Sequence, residues 1–165
     1  MKKERKLRYK CVVLDHDDTA VMSSKELHYP AFCEIMEKMR PGSHKYTFEE
    51  FMKFCFEPGF SVYLQEKYGF TDAEFDEEFQ IWKDYIKDKT PDFYPGFLEL
   101  VKELQELGAY ICVVSHSEKA EIVRHYAENG VKPDLVYGWE LPPEQRKPFA
   151  YPMEQIMLKL GMKPQ

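Results

Sequence analysis

The chain has 165 residues, 44% hydrophobic and 32% charged, a balance that suits one compact core with room for a small inserted subdomain. A formal net charge of −6 without any basic stripe argues against nucleic-acid binding. No apolar run approaches the roughly 20 residues of a membrane span. The basic start MKKERK lacks the apolar segment of a signal peptide and reads as a solvated tail. Cys11, Cys33, Cys55 and Cys112 show no CxxC spacing and read as reduced structural thiols of a cytoplasmic protein.

In chain order, YKCVVL (Tyr9–Leu14) is a short apolar run that ends at acidic residues, as a buried strand would. A helical stretch follows from about Lys25 to Asp88. Within it Thr47 with Glu50, and Thr71 with Glu74, have the spacing of capping boxes, while EPG (Glu57–Gly59) and YGF (Tyr68–Phe70) read as breaks. Phe75, Phe79, Trp82 and Ile86 form one stripe on the last of these helices. Most aromatic residues of the chain fall between Tyr46 and Phe97, so this stretch is expected to build its own core. Phe97, Leu100, Val101, Leu104 and Leu107 are in step on a further helix that Gly108 is placed to cap. YICVVS (Tyr110–Ser115) is a second strand, Glu118–Asn129 a helix, and DLVYGW (Asp134–Trp139) a third strand. A last helix presents Met153, Ile156, Met157 and Leu160. Alternation of strand and helix predicts an α/β fold with a parallel sheet, residues 1–20 and 92–165 forming the core and 21–91 an inserted helical subdomain.

Ligands of an open parallel sheet sit beyond the carboxyl ends of its strands. The first strand delivers Asp15, His16, Asp17, Asp18 and Thr19 to that rim, and the second delivers Ser115, His116 and Ser117. Unpaired carboxylates in one tight turn repel each other, and a divalent cation such as Mg²⁺, which favours oxygen ligands, relieves that repulsion. One carboxylate can then attack phosphorus while a second, two residues on, moves the proton. A surface turn or helix cap would need one such residue rather than three directly after a buried strand.

VVLDHDDTAV resembles the first motif of the haloacid dehalogenase-like hydrolases, an apolar strand followed by Asp-x-Asp-x-Thr. YICVVSHS is similar to the second motif, EQRKPFAYP to the third, and DFYPGFLELVKELQELG to the stretch this family places before the second. The insertion between the first two motifs resembles the helical cap of the C1 subgroup. The resemblance implies a Rossmann-like core and a Mg²⁺-dependent reaction on a small-molecule phosphate ester through an aspartyl-phosphate. Asp15 would be nucleophile and metal ligand. Asp17 would be general acid/base, with its backbone carbonyl also on the metal. Ser115, the amide of His116, and Lys147 would bind the transferring phosphoryl group. Asp18 stands where many members have glycine and reads as turn chemistry; His16 reads as packing. An acid/base at Asp17 favours a phosphatase, or a phosphomutase, over a dehalogenase, which needs no proton for its halide.

The family's fourth motif, an acidic pair that completes the metal site, has no counterpart before the chain stops at GMKPQ. The expectation is therefore a truncated gene product with an incomplete core, impaired activity and an open edge along Cys11–Leu14, where a homodimer could form. The alternative is a non-catalytic fragment that binds phosphate or a partner.

Overall fold

The computed structural model describes residues 6–163, so most of the basic start read as a solvated tail lies outside it. The chain divides into two compact units, residues 1–22 with 93–165, and residues 23–92.

In the first unit three parallel strands lie side by side in the order β1 (Cys11–Leu14), β2 (Tyr110–Val114), β3 (Leu135–Tyr137). The register pairs Val13 with Cys112 and Val113 with Val136. Parallel strands need helical crossovers, and these cover the sheet on both faces, so the strands read as continuous apolar runs. The two-residue alternation of side chains is visible in what each residue meets. Ile111 and Val113 of β2 pack in one cluster with Val101, Ile122, Tyr126 and the partly buried Val12 and Leu14. Cys112 and Val114 pack on the other face with Tyr137, Ile156 and Val13. The first face is covered by α5 (Phe97–Glu106) and α6 (Lys119–Glu128), and the second by α7 (Tyr151–Lys159). The third strand is shorter than DLVYGW suggests, because Asp134 is spent on a clamp. Its amide donates to Ile111 O and its carboxylate accepts from Ile111 N, both at 2.7 Å.

The second unit holds α1 (Tyr29–Met39), α2 (Phe48–Phe54), α3 (Phe60–Tyr68) and α4 (Asp72–Ile86). Both expected capping boxes form, Thr47 with Glu50 and Thr71 with Glu74. The two breaks occur where expected. Glu57 leaves helical geometry ahead of Pro58, and Gly69 closes α3 at φ 63°, where a residue with a Cβ would be strained. The core is aromatic, with Phe32 in ring contact with Tyr46, Phe51, Phe54 and Phe60. The stripe expected on α4 differs in one place. Phe79 is 50% exposed, whereas the neighbouring Glu78 is buried enough for its carboxyl to be pushed up to about 7.

Candidate active site

The carboxyl ends of β1, β2 and β3 converge on one rim, as the parallel order requires. Past Leu14 the chain folds back sharply. His16 O accepts from the amides of Ala20 at 2.8 Å and Val21 at 3.2 Å, and Asp18 N donates to Val21 O at 2.8 Å. Asp18 takes a positive φ of 53° in this turn, which accounts for an Asp where a glycine would serve. Val21 then bridges to Phe93, and Tyr94 N donates to Ala20 O, which locks the turn to the segment leading into α5.

This fold-back splits the acidic cluster into separate environments. Asp15 Oδ1 accepts from Lys147 Nζ at 2.6 Å and Asp15 Oδ2 from the Thr19 hydroxyl at 3.3 Å. Lys147, from the loop after β3, is thus brought to Asp15 across 132 residues of sequence. The side chains of Asp15 and Lys147 are 41% and 31% exposed, so the pair is reachable from solvent. Asp17 Oδ2 accepts two hydroxyls, Ser115 at 3.0 Å and Ser117 at 2.5 Å. Ser115 Oγ in turn accepts from Ser117 N at 3.1 Å. The two carboxylates therefore differ in kind. One faces an ammonium, the other a pair of hydroxyls.

His16, between them in sequence, turns inward. It is 1% exposed, and its Nε2 lies 3.0 Å from Nδ1 of buried His125, with the two rings stacked. Burial pushes the His16 imidazole down to about 4, so it is neutral near pH 7 and packs as an aromatic residue.

Five residues are expected to carry chemistry, and the geometry brings four of them to one rim in two groups, Asp15 with Lys147 and Asp17 with Ser115, with His116 beside the first. The Ser115 hydroxyl points at Asp17. His116 approaches Lys147 from the other side, its Nε2 2.9 Å from the Lys147 carbonyl oxygen, and so props the lysine loop. Ser117 and Thr19 complete the two groups and were not singled out as site residues; each is the nearest hydroxyl beyond a motif aspartate or serine, a signal too common to rank. Trp139 was read as the end of β3, yet its amide donates to Ser117 O at 2.9 Å and its indole lies edge-on to His116. Gly138 permits that approach, since a Cβ there would come within 2.4 Å of Ser117 O and 2.8 Å of Lys119 N.

A protein from Haemophilus somnus described as a predicted phosphoglycolate phosphatase superposes with a TM-score of 0.74 at 17% identity, over 93% of this chain and 72% of that one. A haloacid dehalogenase-like family protein from Streptococcus pneumoniae gives 0.68 at 20% identity, over 94% and 72% of the respective chains. The protein CbbY of Rhodobacter sphaeroides, solved with xylulose-(1,5)bisphosphate, gives 0.64 at 14% identity, over 94% and 74%. At such identities the likeness is one of fold. No curated protein matches the chain. The sequence profile of the haloacid dehalogenase-like hydrolases does match, over residues 12–165, and by that match across nearly its whole length the chain belongs to the haloacid dehalogenase-like hydrolase family.

Proposed function

We propose that the chain is a Mg²⁺-dependent phosphohydrolase of a small phosphate ester, with Asp15 as nucleophile and Asp17 as general acid/base. The observation that carries this reading is the pair of unlike carboxylates two residues apart, Asp15 on Lys147 at 2.6 Å and Asp17 on the Ser115 and Ser117 hydroxyls. In the first step an Asp15 carboxylate oxygen attacks phosphorus, the ester P–O bond breaks, and protonated Asp17 gives its proton to the leaving oxygen. In the second, Asp17, now a carboxylate, takes a proton from water as that water attacks the aspartyl-phosphate, which frees phosphate and restores Asp15. Lys147 lies beside the nucleophile, where its ammonium offsets charge on both the carboxylate and the phosphoryl oxygens. The backbone amide of His116 would donate to a phosphoryl oxygen.

The donor set suits Mg²⁺. The Asp15 carboxylate and the Asp17 carbonyl are hard oxygen donors, and this cation takes one or two carboxylates and completes its shell from phosphate and water. Bound there, it would neutralise phosphoryl charge that Lys147 alone leaves uncompensated. Among the described residues no three His, Cys, Asp or Glu side chains gather to hold a metal. That observation favours a second reading, in which the chain binds phosphate or a partner and turns nothing over. Hydrolysis of p-nitrophenyl phosphate with and without Mg²⁺ separates the two. The phosphohydrolase reading expects metal-dependent turnover that Asp15→Asn abolishes; a folded protein with no turnover supports the binding reading.

The edge of β1 away from β2 pairs with no strand among the described residues, and a second copy of the chain is the partner we assign to it. A reducing, cytoplasmic compartment fits the four free thiols, of which Cys11 and Cys112 lie 3.8 Å apart on neighbouring strands without a disulfide.

A further inference from the structure

Arg146 is a cation of the rim that the mechanism leaves unused. It directly precedes Lys147, but its side chain goes elsewhere. Its Nε donates to Leu141 O within its own loop, and the guanidinium carbon lies 3.7 Å from the centroid of the Trp139 ring. Among the described residues no carboxylate pairs with it. Trp139 is itself fixed from two directions. Its amide is bonded to Ser117, whose hydroxyl holds Asp17, and its ring meets His116, whose Nε2 contacts the carbonyl of Lys147. The indole is 49% exposed, an unusual position for so large an apolar surface.

A guanidinium held over an indole and tethered through Nε loses little further freedom when its Nη groups bind an anion. A carboxylate or phosphoryl group can take both Nη donors in one plane. Lys147 serves Asp15 and the transferring phosphoryl group, which leaves Arg146, in the same loop after β3, for a separate negative group.

We propose that Arg146, carried on Trp139, binds a second anionic group of the substrate, so that the esters this protein prefers carry a carboxylate or a second phosphoryl group on the leaving alcohol. This rests on the phosphohydrolase reading for the word substrate, but the binding site itself can be tested without turnover. Trp139 is then the platform that orients Arg146 rather than a catalytic residue.

The test is calorimetric titration of the full chain, at Mg²⁺ in excess over ligand, with three non-hydrolysable probes. Methylphosphonate has one anionic group, phosphonoacetate adds a carboxylate, and methylenebisphosphonate adds a second phosphoryl. At least one doubly anionic probe is expected to bind roughly tenfold or more tightly than methylphosphonate, and which one does so identifies the second group. That preference should fall below about threefold in Arg146→Gln and weaken in Trp139→Ala, while Lys102→Gln, an equal charge change on the exposed face of α5, preserves it. A preference that survives Arg146→Gln, or that Lys102→Gln erodes equally, overturns the inference and leaves Arg146 as a brace for Trp139. Preference without hydrolysis of any ester sinks the phosphohydrolase reading and keeps the anion site; hydrolysis without preference does the reverse.

Discussion

Asp18 and Tyr126 show how the rim is set by single residues whose local chemistry is unfavourable. At φ 53° Asp18 occupies a conformation that disfavours a Cβ by about 1–2 kcal/mol, least so for Asp and Asn. Asp18→Gly is expected to keep or slightly raise stability, and Asp18→Val to lower it by about 1–2 kcal/mol, as read from urea midpoints. If Asp18→Val left the protein as stable as the parent, the turn would not be held as described. Tyr126 is fully buried against His16, and its hydroxyl has no hydrogen-bond partner among the described residues. Burial first, and the nearby Asp15 charge second, push its phenol well above the ordinary range. Because the desolvated hydroxyl gains nothing, Tyr126→Phe is expected to be neutral or to stabilise by up to about 1 kcal/mol. A loss of more than that would reveal a partner for the hydroxyl. Of the candidate site, the placement of Asp15, Asp17, Ser115, His116 and Lys147 on one rim was legible because the order of strand ends and motifs fixes it. Ser117, Trp139 and Arg146 were not, because their roles come from how loops pack, and nothing in spacing specifies that an indole meets a guanidinium.

Caps and strand alternation follow the sequence pattern, and the rotation of α4 does not. Thr71 caps α4 through reciprocal bonds with Glu74, so Thr71→Ala should cost about 1 kcal/mol. On the same helix, three-to-four spacing puts Phe79 on the apolar stripe, yet it stands half exposed while Glu78 is desolvated. Periodicity gives the width of a face but not the surface it meets, and α4 is turned so that part of its stripe faces solvent. Glu78 therefore has a measurable pH signature. Its carboxyl is raised from 4.5 to about 7 in the folded chain, so the unfolded chain releases that proton first. The stabilising contribution is complete below the unfolded value and is lost as pH rises through about 7. Glu78→Gln should accordingly be close to neutral near pH 4 and stabilise by roughly 2 kcal/mol near pH 8. Equal effects at both pH values would contradict a desolvated carboxyl.

For the whole molecule, the strand–helix alternation was enough to give a parallel sheet with helices on both faces, and the division near residues 22 and 93 follows the aromatic-rich helical stretch. Among the described residues β1 pairs with β2 alone, which leaves its other edge without a strand. Tyr110 N donates to Lys10 O, so in regular parallel geometry the polar backbone groups of Cys11 and Val13 face away from β2. If a second copy covers that edge, the amides of Cys11 and Val13 should exchange with solvent more slowly as protein concentration rises, in step with a doubling of mass by light scattering. Rapid exchange at all concentrations would rule that assembly out. In the proposed reaction Asp15 takes the phosphoryl group. Its most direct test uses Asp17→Asn with p-nitrophenyl phosphate, whose leaving group needs no proton, so that attack proceeds while hydrolysis of the intermediate is slowed. After acid quench, peptide mass spectrometry should place a hydroxylamine-labile phosphate on Asp15. Phosphate on another residue, or none when the parent enzyme turns over, would exclude Asp15 as the nucleophile.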